Sequence, residues 1–168
     1  MTKRPNPLDK YARFVNPGVV QWIGVRPKRK QPLQSLETVD AVADYGLAGD
    51  HRMIKTPGSG RQVTLISQEF IDQIQHFTGY EVIDPAILRR NIVVSGLNLN
   101  YLRRQRFRVG SALFEATQLC HPCARMEEAL GTGGVAAMIG HGGICARILE
   151  SGVIKLGDTI TVVDSTEN

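Results

Sequence analysis

Ser111-Ala-Leu-Phe-Glu-Ala-Thr-Gln-Leu-Cys-His-Pro-Cys-Ala-Arg-Met-Glu-Glu-Ala-Leu-Gly131 carries the decisive signals of the chain. Residues 111–118 have the pattern of a strand, with Leu113 and polar Glu115 near the middle. Residues 124–130 are rich in strong helix formers and are closed by Gly131, a natural C′ residue. Between them, Cys120-His121-Pro122-Cys123-Ala124-Arg125 holds two of the three cysteines. A helix over 124–130 sets Cys123 beside its first exposed N–H groups. Their partial positive charge, with Arg125 close by, favours thiolate over thiol. A thiolate at the end of a strand is a nucleophile or a metal ligand.

Working outward, the rest of the chain is mostly short strands divided by glycine turns. Strands are expected at 19–25 (stopped by Pro27), 35–42, 62–66, 91–94, 106–109, 144–149 and 159–163. Gly46 to Arg52 reads as a turn carrying Asp50 and His51. Ser67 opens a helix through Phe77, with Phe70, Ile71, Ile74 and Phe77 on one face and Gly79 ending it. A second short helix fits 85–90, and the polar stretch 97–104 reads as a loop. Residues 131–143 contain six glycines, which either let backbone approach a ligand closely or form a lid. The fold expected is mainly β, a closed or nearly closed β-barrel with a few short helices. It divides into an arm at 1–17, the barrel domain at 18–163 and a tail at 164–168.

The 168 residues suffice for one domain with a sizeable core. Hydrophobic content of 42% and charged content of 21% are those of an ordinary soluble protein. No apolar run approaches the ~18 residues of a membrane span, and no apolar stretch follows the basic start. Three cysteines, an odd number, argue against a disulfide framework and for a reducing compartment. The expected address is the cytoplasm, with no membrane partner. A net charge of +4, with arginines clustered at 89–90 and 103–108, points to an anionic ligand. No nucleic-acid-binding signature accompanies these clusters and aromatic residues are few, so a phosphate-bearing small molecule fits better than nucleic acid.

Three functions compete for the cysteines. Cys120, Cys123, His141 and Cys145 are an admissible tetrahedral zinc set, although His141 lies in the glycine run and Cys145 in an apolar strand. Cys120 and Cys123 as a thiol–disulfide exchanger match thioredoxin-like local order, but the helix is short for that fold. The third function is one thiolate serving a larger cofactor.

The third is where the chain resembles the MOSC domain, the C-terminal module of molybdenum cofactor sulfurases, which also occurs as free-standing bacterial proteins. The resemblance runs over about residues 18–163. It rests on Gly46-Leu-Ala-Gly-Asp-His51, Arg61-Gln-Val-Thr-Leu-Ile66, Arg89-Arg-Asn-Ile92, Gly110 through Glu115, Cys120-His-Pro-Cys-Ala-Arg125, Gly142-Gly-Ile-Cys-Ala-Arg147 and Gly152-Val-Ile-Lys-Leu-Gly-Asp158. It implies a barrel whose cleft holds or passes on the molybdenum cofactor, molybdopterin. The cysteine after proline in the family pattern maps to Cys123, as molybdenum ligand in reducers of N-hydroxylated compounds or as persulfide carrier in sulfur transfer. Another residue stands at the Cys120 position in part of the family.

Soft thiolate suits molybdenum, and the phosphate of an anionic pterin wants fixed cations and N–H donors. The resemblance makes Arg89 and Asn91 the leading cofactor contacts, whereas Arg90 is expected to be surface charge. Arg125 either lowers the thiol pKa, meets phosphate or is a solvated helix residue. Asp50 and His51 either orient the cofactor and exchange protons or make local turn hydrogen bonds. A cysteine desulfurase or an electron-transfer protein is the expected partner. Pyridoxal phosphate is not expected: Lys155 is the only lysine after Lys55, and nothing around it suggests a Schiff-base site.

Overall fold

The computed structural model describes residues 7–8, 11, 16–55 and 57–163. The tail expected at 164–168 and most of the arm expected at 1–17 lie outside the described residues. The strands are β1 (Gly18–Val25), β2 (Gln34–Leu36), β3 (Thr38–Val42), β4 (Gly46–Leu47), β5 (Val63–Ser67), β6 (Ile92–Ser95), β7 (Arg106–Val109), β8 (Ala112–Leu119), β9 (Ile144–Glu150), β10 (Gly152–Lys155) and β11 (Thr159–Val163). The α-helices are α1 (Gln68–Thr78), α2 (Ala124–Leu130) and α3 (Gly134–Met138).

The strands pair in the order β11-β7-β8-β9-β5-β6-β1-β2, and β1 also pairs with β11. That second pairing closes seven strands into a barrel, with β2 attached to β1, while β10, β3 and β4 make a separate small sheet. Closure leaves the ring without unpaired edges. Within the ring only β5 and β6 run parallel, and the crossover they require carries α1 on the outside.

Strand alternation separates two cores. Leu65, Ile92 and Val94 face the barrel interior with Phe107, Phe114, Ile144 and Ile148. Ile66 and Val93, their sequence neighbours, face outward and pack beneath the helices with Ile71, Ile74, Met126, Leu130 and Met138. In β1 the register shifts between Val20 and Trp22. This bulge lets Val20, Ile23 and Val25 all face inward while Trp22 packs on the outer core.

Local chemistry explains the helix ends. The Ser67 hydroxyl accepts the Phe70 N–H at 3.1 Å, and Gly79 takes the left-handed conformation at φ 78°. Ile71 and Ile74 are buried as expected, but Phe77 is 58% exposed. It lies in the last turn, where its ring meets those of His76 and His141 rather than the sheet.

Four segments differ from expectation. The strand expected at 35–42 breaks at Glu37 into β2 and β3, which serve different sheets. The loop expected at 97–104 contains a 3-10 turn, Leu99–Leu102, whose two leucines are fully buried in the barrel interior. The stretch between the strands expected at 144–149 and 159–163 holds a further strand, β10, which begins at Gly152. The middle of the glycine run folds as α3, with Ala137 and Met138 buried in the outer core.

Candidate functional site

Cys123 is exposed and is the N-cap residue of α2, extended at φ −138° and ψ 176°. The chain turns helical from Ala124, a strong helix former. Arg89 lies within electrostatic range of Cys123. It ends the 3-10 turn Pro85–Leu88 in the left-handed conformation, φ 60° and ψ 31°, a strained backbone for a residue with a side chain. Arg89 and Arg125 line one cleft of about 530 Å³, together with Lys30, Gln31, Ile87 and Glu128.

Beside this cleft stands a cation that the sequence did not single out. Arg26 follows β1 and is only 6% exposed. Its Nε and Nη1 are buried and find no hydrogen-bond partner among the described residues. Burial, and then the charges of Arg89, Arg52 and Arg125, pull its pKa down to about 10, against the opposing pull of Asp50. It therefore remains a guanidinium at neutral pH. Four arginines gathered around two orphaned donors, opposed by the charge of Asp50, form an incomplete electrostatic arrangement that an anion completes. A basic residue directly after a strand, before Pro27, was the only signal in the sequence.

Asp50 is buried. Its Oδ2 accepts the Arg26 backbone N–H at 3.0 Å and the Asn91 Nδ2–H at 3.1 Å, and its Oδ1 accepts the Arg52 N–H at 3.0 Å. His51 Nδ1 stands 3.3 Å from Asp50 Oδ1, but the geometry makes no hydrogen bond. Burial first, and then Arg26, hold the His51 imidazole below its ordinary pKa despite Asp50, so it is neutral at pH 7.

Asn91 is also buried, and its amide is fully engaged within the protein. Its Oδ1 accepts from the Thr64 N–H and hydroxyl, each at 3.1 Å, and its Nδ2 donates to Gly24 O and Asp50. It ties β1 and β5 to the Asp50 turn. Arg90, expected at the surface, is instead buried. Its Nε donates to Gly142 O at 2.7 Å, Nη1 to Leu88 O at 2.9 Å and Nη2 to Cys120 O at 3.4 Å. The reason is three backbone carbonyls converging where the cysteine segment meets the start of β9. A guanidinium fork answers all three.

The structure thus brings Cys123, Arg89 and Arg125 together, adds Arg26 and Arg52, and connects Asp50, His51 and Asn91 to them through hydrogen bonds and charge. The zinc set is not assembled. Among the described residues no three His, Cys, Asp or Glu side chains are placed to hold a metal ion. The His141 ring packs against Phe70 and Phe77, and Cys120 and Cys145 are buried while Cys123 is exposed. In the second arginine cluster, Arg106 and Arg108 pair with Glu115 and Glu150 at 3.4 and 3.0 Å. Among the described residues no helix is long and apolar enough to cross a membrane.

Solved structures share this fold. YuaD from Bacillus subtilis is 19% identical, with a TM-score of 0.73 over 86% of this chain and 94% of that one. YiiM from Geobacillus stearothermophilus is 16% identical, with a TM-score of 0.70 over 90% of this chain and 78% of that one. YiiM from Escherichia coli is 17% identical, with a TM-score of 0.65 over 89% and 72%. No curated protein matches the chain. The MOSC domain family matches residues 52–161, from the arginine beside the Asp50 turn to the middle of β11; the chain belongs to the MOSC domain family.

Proposed function

We propose that this protein binds a molybdenum cofactor, with Cys123 as the thiolate ligand of the metal and the arginine cluster as the seat of the pterin phosphate. The observation that carries the proposal is Arg26, a buried guanidinium with two unsatisfied donors beside Arg89, Arg52 and Arg125. The residues fit the group: an exposed soft ligand stands near fixed cations that lack an anion. Arg89 and Arg125 at the cleft wall would hold the phosphate, with the unsatisfied donors of Arg26 adding to them. Asp50 and Asn91 position Arg26 and the turn that carries His51. Neutral His51 accepts a proton and passes it on. When bound, the metal supplies two-electron reduction of an N-hydroxylated substrate, with electrons from a separate electron-transfer protein.

A second activity is favoured by the exposure of Cys123 at the surface. In it Cys123 carries a persulfide received from a cysteine desulfurase, and no metal is retained. One experiment separates the two: metal analysis and intact mass of protein purified from molybdate-supplied cells. Near-stoichiometric molybdenum, lost in Cys123→Ser, is the expected result. A 32-Da adduct on Cys123 without molybdenum establishes the carrier instead. Neither molybdenum nor adduct sinks both.

A further inference from the structure

Cys120 and Cys145 take no part in that chemistry, yet they are placed together. The register of β8 on β9 pairs Gln118 with Cys145 and Leu119 with Ile144. The Cys120 N–H extends the ladder to Gly143 O at 2.8 Å. The two cysteines are therefore diagonal neighbours on one face of the ladder, close enough that each thiol bears on the other's ionisation. Both are buried, Cys120 at 8% and Cys145 at 1% exposure. Arg61, an exposed residue, lies within electrostatic range of Cys145.

We propose that Cys120 and Cys145 are a reversible disulfide-forming pair, a peroxide-sensitive thiol site separate from Cys123. The two sulfurs have unequal roles. The neighbouring Cys145, and then burial, push the Cys120 thiol up. Cys145 is drawn down by Cys120 first and then by Arg61, against the opposing effect of burial. Cys145 is thus the more readily ionised of the two and the attacking atom. Its sulfur attacks one oxygen of hydrogen peroxide: an S–O bond forms, the O–O bond breaks, and hydroxide leaves as water after taking a proton. The Cys120 sulfur then attacks the Cys145 sulfenic acid. An S–S bond forms, the S–O bond breaks, and a second water departs with the Cys120 proton. The sulfurs together lose two electrons and peroxide gains them.

Diagonal strand neighbours stand about 7–8 Å apart, wider than a relaxed disulfide spans. Closure therefore draws Cys120, which lies just past the end of β8, toward β9. A bond made under that tension is readily reduced, which gives the site its reversibility.

The test is peroxide treatment of the full-length folded protein, followed by thiol counting and non-reducing peptide mapping. Reactive thiols are expected to fall from the three present to one, with a loss of 2 Da and a cross-link between the peptides holding Cys120 and Cys145. The same cross-link is expected in Cys123→Ser and is absent in Cys145→Ala. Thiol reagent after dithiothreitol should restore the full count. A cross-link that disappears in Cys123→Ser, or oxidation confined to Cys123 with Cys145 untouched, overturns the proposal. The wild-type map is decisive by itself should Cys145→Ala fail to fold.

Discussion

Arg26 shows how one side chain can hold a protein below its attainable stability. Its charge is disfavoured by burial and by three neighbouring arginines, so removing it relieves the folded state. Arg26→Met is expected to raise stability in urea by about 1 kcal/mol. Phosphate is expected to raise the wild-type Tm by binding the folded state, and the same change should abolish that increase. A lower urea midpoint for Arg26→Met would contradict this electrostatic account. His51 makes a pH prediction. Its folded pKa lies below the unfolded value, so as pH falls through about 6.5 the unfolded chain takes up a proton that the folded one resists. Stability associated with His51 is present above that pH and is lost as acidity rises. The slope of unfolding free energy between pH 7 and 5 should be shallower in His51→Gln. At this scale the sequence was readable where chemistry is local. Cys123 at a helix start and the Asp50 turn follow from neighbouring residues. Arg26 and the burial of Arg90 do not, because their surroundings come from segments up to a hundred residues away.

At the level of elements, the glycine run between α2 and β9 shows why composition misleads. Its density left both a lid and a close backbone approach to a ligand open, whereas individual glycines answer different demands. Gly143 lies at φ +87°, and a Cβ there would collide with Leu65 O on the paired strand. A Cβ on Gly142 would collide with Cys120 O, the carbonyl that Arg90 also holds. Gly143→Ala should therefore cost about 3 kcal/mol, read from urea unfolding. An effect below 1 kcal/mol would show that the loop shifts freely. α3 was hidden in the sequence because its start is capped from a distance. Glu127 in α2 accepts the Gly133 and Val135 N–H groups, each at 2.8 Å. Those bonds hold its carboxyl below the usual range. No local cap residue announced that helix.

For the molecule as a whole, the barrel class was legible because many short alternating strands between turns suit few other architectures. The order of those strands was not, since pairing depends on contacts distant in sequence. Neither the parallel β5–β6 pair nor the closure of β1 on β11 leaves a local mark. That closure is narrow, with only Gly18–Ile160 and Val19–Thr159 in register, against four pairs between β11 and β7. Ile160 is fully buried at this seam, and Ile160→Ala should cost about 3 kcal/mol in urea unfolding, by transfer and cavity terms together. A loss below 1 kcal/mol would mean that closure contributes little.

The bulge in β1 carries a practical corollary. The chain has one tryptophan, and the bulge turns it away from the barrel interior onto the layer beneath the helices. Its fluorescence is therefore a native optical probe of that outer layer, the one containing Met126 and Leu130 of α2. Emission will sense loosening around the helix that begins at Cys123 even while the strands behind it stay closed.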